Sequence, residues 1–222
     1  PLSWKCKTMD ERRLKGYLSS LYPDLTADLA AVEKRALADH VPVIRRDTQQ
    51  YLRTLLALRR PGEILEVGTA VGFSASFMAT YNPVSCRITT IENYQPRISA
   101  ARENFRRMGL EEEITLLEGD ARDVLPGLKG PYDLIFMDAA KGQYINYWPQ
   151  LIRLSGPGSV IVTDNVLQEG DIIESHFAVT RRNRTIHKRM REYLWELTHD
   201  GRFVTDILNV GDGLSVSVRV KQ

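Results

Sequence analysis

The chain has 222 residues, 43% hydrophobic and 26% charged. These values lie close to the globular average and exclude a disordered, collagen-like or disulfide-built protein. Its 30 basic and 28 acidic residues leave a net charge of +2, so overall charge does not point to a nucleic-acid partner. No run reaches the roughly 18 apolar residues of a membrane span. The opening PLSWKCKTMDERR is charged and has no apolar core, so no secretory signal is expected there and a cytoplasmic location is. Cys6 and Cys86 form no metal-type spacing and fit an unpaired cytosolic pair.

Residues 1–60 read as helices that cover a domain spanning 61–222, the whole forming one structural unit. In TADLAAVEKRALADH, Leu29, Val32, Ala36 and Leu37 recur at helical spacing. Thr26 or Asp28 suits the cap, and Pro42 the stop. RRDTQQYLRTLLALRR places Leu52, Leu55 and Leu56 on one face, and Pro61-Gly62 ends that helix.

From residue 63 short apolar runs alternate with amphipathic stretches. The runs are 63–67, 87–92, 113–119, 132–138 and 159–164. Near-continuous apolarity suits strands buried on both faces, and the alternation predicts an α/β fold with a mostly parallel sheet. RFVTDIL and GLSVSVRV, separated by NVGD, predict a terminal antiparallel hairpin. RRNRTIHKRMR (181–191) has six cations and no acid, and reads as a basic loop running into an amphipathic helix.

The first strand runs into Glu66-Val67-Gly68-Thr69-Ala70-Val71-Gly72-Phe73-Ser74. Glycines after a buried strand let the backbone turn sharply and approach a ligand. The acid two residues before Gly68 disfavours a pyrophosphate and favours a ligand with an ammonium group. Glu92, at the end of the second strand, suits a ribose hydroxyl pair. Asp120 ends the third strand, where it either lines a ligand or caps a helix. Asp138 ends the fourth strand, and Asp164-Asn165 the fifth. In a parallel sheet these three side chains emerge at one edge, an oxygen-only set suited to Mg²⁺ and unsuited to zinc. Both aspartates equally suit helix caps. Lys141 follows Asp138 by three residues; beside a divalent cation it would shed its proton readily and act as a general base.

This ordered set resembles the class I S-adenosylmethionine (SAM)-dependent O-methyltransferases, in the cation-dependent branch that includes catechol and caffeoyl-CoA O-methyltransferases. The resemblance covers about residues 40–220. It rests on VPVIRRDTQQYL, ILEVGTAVGFS, ITTIE, LEGDA, DLIFMDAAKGQY and VTDNV, in order. Within the branch the chain is most similar to the bacterial tRNA 5-hydroxyuridine methyltransferases. The resemblance implies a seven-stranded Rossmann-like sheet with an antiparallel last strand, helices on both faces and a homodimer. It implies cofactor contacts for Val43, Glu66, Gly68, Ser74, Glu92, Asp120, Ala121 and Asp138. Ser74 would meet the methionine carboxylate, Glu66 the ammonium region, and Asp120 with Ala121 the adenine. Asp138, Asp164 and Asn165 would hold Mg²⁺, and Lys141 would be the base. One departure is Ala139-Ala140, where catechol enzymes carry bulkier residues.

The expected reaction is methyl transfer to an enolic or phenolic oxygen beside a second oxygen. The first candidate acceptor is 5-hydroxyuridine in a tRNA anticodon loop. For it, Arg181, Arg182, Arg184, Lys188, Arg189 and Arg191 would contact phosphates. Tyr144, Tyr147 and Trp148 would either stack a base or pack a helix on the sheet. A small catechol-like phenolic is the second candidate. A non-catalytic RNA- or SAM-binding module is the third, opposed by the metal trio and Lys141.

Overall fold

The computed structural model describes residues 10–221; Cys6 lies outside them. The chain runs α1 (Glu11–Leu21), α2 (Ala27–Ala38), α3 (Arg46–Arg59), β1 (Glu63–Val67), α4 (Phe73–Tyr81), β2 (Arg87–Glu92), α5 (Gln95–Met108) and β3 (Ile114–Glu118). It continues with α6 (Ala121–Val124), β4 (Tyr132–Met137), α7 (Tyr144–Leu154), β5 (Ser155–Thr163), α8 (Arg184–His199), β6 (Phe203–Leu208) and β7 (Leu214–Arg219).

The seven strands form one sheet in the order β3-β2-β1-β4-β5-β7-β6. Strands β1 to β5 pair in parallel, and β7 runs antiparallel to both β5 and β6. This is the expected Rossmann-like α/β sheet with its terminal hairpin. The strand order reverses at β1, which lies between β2 and β4. A doubly wound sheet opens a ligand crevice at such a reversal, outside the strands' carboxyl ends.

Alternate strand residues serve two cores, as the period of two requires. Ile64, Leu134, Phe136, Val160 and Val162 face one side with α3, α4 and α5. Leu65, Ile135, Met137 and Ile161 face the other with α7 and α8. Leu29, Val32, Leu52 and Leu56 join Ile64, Phe77 and Leu214 in the first core, so the N-terminal helices pack on the same face as α4.

Thr26 caps α2, its hydroxyl accepting from the Leu29 amide. Two expectations for this helix need correction. Its last helical residue is Ala38, and His40 turns left-handed (φ 55°) before Pro42 is reached. Leu37 is 58% exposed, because the buried stripe follows Leu29, Val32 and Ala36. Strand β5 starts four residues earlier than expected, since Gly156-Pro157-Gly158 extends it past an irregularity opposite Tyr132 and Leu134. Tyr144 and Trp148 are core residues that pack edge-on against Tyr193. They hold α7 to α8 and are closed to a stacking base. The basic stretch is helical from Arg184 onward.

No helix among the described residues is long and apolar enough to cross a membrane.

Candidate active site

A cavity of about 410 Å³ opens at the β1 reversal. Of the residues expected at a ligand site, Val43, Gly68, Ser74, Glu92, Ala121, Asp138, Lys141 and Asn165 line it. Val43 comes from the segment between α2 and α3, so the N-terminal helices close one wall. Glu66, Asp120 and Asp164 are not among the cavity's lining residues.

The glycine turn after β1 is required by space as well as by backbone conformation. Gly68 has φ 96°, and a Cβ there would stand 2.2 Å from the Asp138 carbonyl oxygen. Gly72 has φ 81°, and its Cβ would meet the Phe105 ring at 2.6 Å. The turn presents the Ala70 amide to Glu92 Oε2 at 2.9 Å. Glu92 Oε1 accepts from the amides of Asn93 at 2.9 Å and Tyr94 at 3.0 Å. A carboxylate offers about four acceptor sites. Three backbone donors therefore fix Glu92 and leave capacity for a hydroxyl facing the cavity.

Glu66 is fully buried. It accepts from Ser74 Oγ and Thr90 Oγ1, each at 2.5 Å. Burial pushes its pKa up, and the hydroxyl donors hold it back. Glu66 thus supports Ser74 from below and does not form the cavity wall. Ser74 lies in the first turn of α4, whose Gly72 cap makes no side-chain hydrogen bond. Exposed amides at such a terminus favour an anion such as a carboxylate.

Asp120 takes the capping role of its two expected uses. Its Oδ1 accepts from the Arg122 amide at 2.9 Å, and its carboxylate pairs with the Arg122 guanidinium at 2.7 Å. The neighbouring Ala121 lines the cavity in its place.

Asp138 and Asp164 end adjacent parallel strands in register, one residue beyond Met137 and Thr163. Burial raises Asp138 to about 6, opposed by the charges of Lys141 and Arg97. Burial, with repulsion from Asp138, raises Asp164 to about 7. Asn165 adopts a left-handed backbone (φ 60°) and turns its amide nitrogen to Asp164 Oδ1 at 3.3 Å. Its amide oxygen is then the group available to a cation. No cluster of three or more His, Cys, Asp or Glu suited to a metal occurs among the described residues. Two mutually repelling carboxylates and an amide oxygen nevertheless fit a hard divalent cation, which would relieve their repulsion.

Lys141 opens a short 3-10 turn, Lys141–Gln143, on the cavity rim. Its ammonium lies 3.5 Å from the Asp212 carboxylate, which is buried. In the sequence, residues 209–212 read only as a hairpin gap, which gives Asp212 no role. The available signal was Gly211-Asp212-Gly213, whose glycines take φ 64° and 87° and aim the loop back at the site. The sequence likewise gives no role to Arg97, which reaches the cavity from α5.

The O-methyltransferase family model matches residues 19–220. The chain belongs to the O-methyltransferase family. A catechol O-methyltransferase of Niastella koreensis is 38% identical over 72% of this chain and 75% of its own. One from Mycobacterium tuberculosis is 36% identical over 88% of each chain. An O-methyltransferase from Bacillus cereus, solved in complex with SAH, superposes with a TM-score of 0.81 at 25% identity. That match covers 93% of this chain and 97% of the other. The chain is therefore a SAM-dependent O-methyltransferase.

In this O-methyltransferase the six cations of the basic stretch divide by task. Arg184 donates to the carbonyls of Phe177 and Val179, Arg189 to Gly142, and Arg191 to Ile172. Lys188 pairs with Glu192 at 3.7 Å. Arg181 and Arg182 are exposed, without an ion pair among the described residues. Of the six expected phosphate-contacting cations, Arg181 and Arg182 are the two that make no hydrogen bond or ion pair among the described residues.

Proposed function

We propose that this O-methyltransferase uses Mg²⁺ held by Asp138, Asp164 and Asn165, and methylates 5-hydroxyuridine at the tRNA wobble position to 5-methoxyuridine. The observation that carries the acceptor choice is the pair of free cations, Arg181 and Arg182, just ahead of a helix that is fastened to the Lys141 turn through Arg189. A bound Mg²⁺ would act as a Lewis acid that makes the acceptor hydroxyl easier to ionise. 5-Hydroxyuridine carries O5 beside the O4 carbonyl, a pair of oxygens like that of a catechol. Lys141 takes the acceptor proton, with Asp212 fixing its position. Glu92 holds the ribose hydroxyls, and Ser74 with the first turn of α4 holds the methionine carboxylate. Val43 and the N-terminal helices keep water from that side of the cofactor.

A second acceptor, a small phenolic with adjacent oxygens, is favoured by the relatives at 38% and 36% identity that are named catechol O-methyltransferases. Labelled SAM, offered with tRNA carrying 5-hydroxyuridine and separately with catechol, with and without EDTA, separates the two. EDTA-sensitive label recovered as 5-methoxyuridine supports the tRNA acceptor. Label on catechol alone overturns it in favour of the small phenolic.

A further inference from the structure

The segment between β5 and α8 carries two strongly exposed apolar side chains, Ile173 and Phe177, each 83% exposed. Single exposed apolar residues are ordinary, but Phe177 is held in place. Arg184 reaches the Phe177 carbonyl at 3.4 Å, and its guanidinium lies 5.9 Å from the ring centroid. His176 stands edge-on to the same ring at 5.7 Å. The ring is thus supported by its neighbours while most of its surface stays open to solvent.

The same segment is tied to the catalytic rim. Arg189 donates to the carbonyl of Gly142, next to Lys141, at 3.0 Å. A Cβ on Gly142 would lie 3.6 Å from Ile186 Cγ1. One turn of α8 therefore rests on the Lys141 turn. From that turn of α8, His187 Nε2 lies 3.2 Å from the Glu174 carbonyl, three residues before Phe177. Arg181 and Arg182 follow Phe177 closely and point their charge into solvent.

We propose that Phe177, Arg181 and Arg182 form a clamp for a single-stranded nucleic-acid acceptor. The Phe177 ring stacks on a base flanking the target nucleotide, and the two guanidinium groups neutralise adjacent phosphates. Every base offers a π-face, so a supported aromatic ring grips a strand without fixing its sequence. A paired ring and double cation suit a stacked base with its phosphates; a lone phenolic acceptor would use neither cation. The clamp rests on the tRNA reading above and names the residues that would deliver it.

The test uses an anticodon stem-loop RNA carrying 5-hydroxyuridine, with wild type, Phe177→Ala, Phe177→Trp and the double variant Arg181→Ala/Arg182→Ala. Phe177→Ala should weaken RNA binding roughly 5- to 150-fold, and Phe177→Trp should restore it. The double variant should reduce the slope of log affinity against log salt by roughly 1.4. The SAM Kd should stay unchanged in all variants, which shows that the fold and cofactor site are intact. If the variants bind and methylate the RNA as wild type does, the clamp is wrong and the tRNA acceptor stands. If wild type itself neither binds nor methylates the RNA, both are overturned together.

Discussion

Lys141 and Asp212 face each other across 3.5 Å, one on the turn after β4 and the other on the hairpin between β6 and β7. The lysine is partly exposed and the aspartate buried. An anionic partner in that position fixes the lysine side chain at the cavity rim; to take the acceptor proton, Lys141 must first give up its own. A general base contributes about 10²- to 10⁴-fold, so Lys141→Ala should lower kcat by that range. Asp212→Asn keeps the shape but loses the charge and should lower kcat by roughly tenfold, since misplacement costs less than removal. The double variant should be no slower than Lys141→Ala alone. Steady-state kinetics with SAM held saturating would check this, and additive losses would show that the two residues act separately.

The buried carboxylates make stability depend on pH, and would make the proposed metal binding depend on it as well. Asp138 at about 6 and Asp164 at about 7 both lie above the usual 3.8. The folded state then binds more protons than the unfolded chain between about pH 4 and 7, so stability falls as pH rises through that window. Metal-free protein should therefore melt at a lower temperature at about pH 8 than at about pH 5. Added Mg²⁺ should raise Tm at the higher pH and have little effect at the lower, because protons compete for the same oxygens. Asp164→Asn should flatten the pH response and remove the Mg²⁺ shift. Thermal melts across pH, with and without Mg²⁺, would reveal a wrong assignment as a Tm insensitive to the metal.

Glu92 gathers three backbone amides, from Ala70, Asn93 and Tyr94. Glu92→Ala leaves those donors unmatched and removes the proposed ribose acceptor. Hydrogen bonds to a charged group contribute about 1.5–3 kcal/mol, so SAM affinity should fall roughly 10- to 100-fold. Isothermal titration of SAM would measure this, and an unchanged Kd would place the ribose elsewhere.

Gly68 occupies a conformation and a gap that exclude a side chain. Its φ of 96°, together with the clash an added Cβ would make with the Asp138 carbonyl oxygen, should make Gly68→Ala lose at least about 2 kcal/mol of stability. Because the displaced atom belongs to Asp138, the same variant should also weaken metal binding. Denaturant unfolding and Mg²⁺ titration of the folded fraction report the two effects separately.

The strands were legible because each is a short apolar run bounded by glycine or charge, and β1 and β2 occupy the expected 63–67 and 87–92. The cavity residues at strand ends were legible because parallel strands deliver their carboxyl ends to one edge. Asp212 was not, since only the return of β7 beside β5 brings its loop to Lys141. Glu66 could be placed at the end of β1 but not away from the cavity lining: strand alternation does not show that Ser74 and Thr90 would enclose its carboxylate. The local partners of the basic stretch were not legible for a related reason. A run of cations does not show which members reach carbonyls such as Gly142 and Ile172, and here Arg189 and Arg191 do.

The most direct test of the account is methyl transfer from labelled SAM by enzyme stripped with EDTA, offered an acceptor with adjacent oxygens, before and after Mg²⁺ is restored. The Asp138, Asp164 and Asn165 site predicts no transfer without the metal, recovery with it, and no recovery in Asp138→Ala. Full transfer in EDTA, or an active Asp138→Ala enzyme, would contradict it.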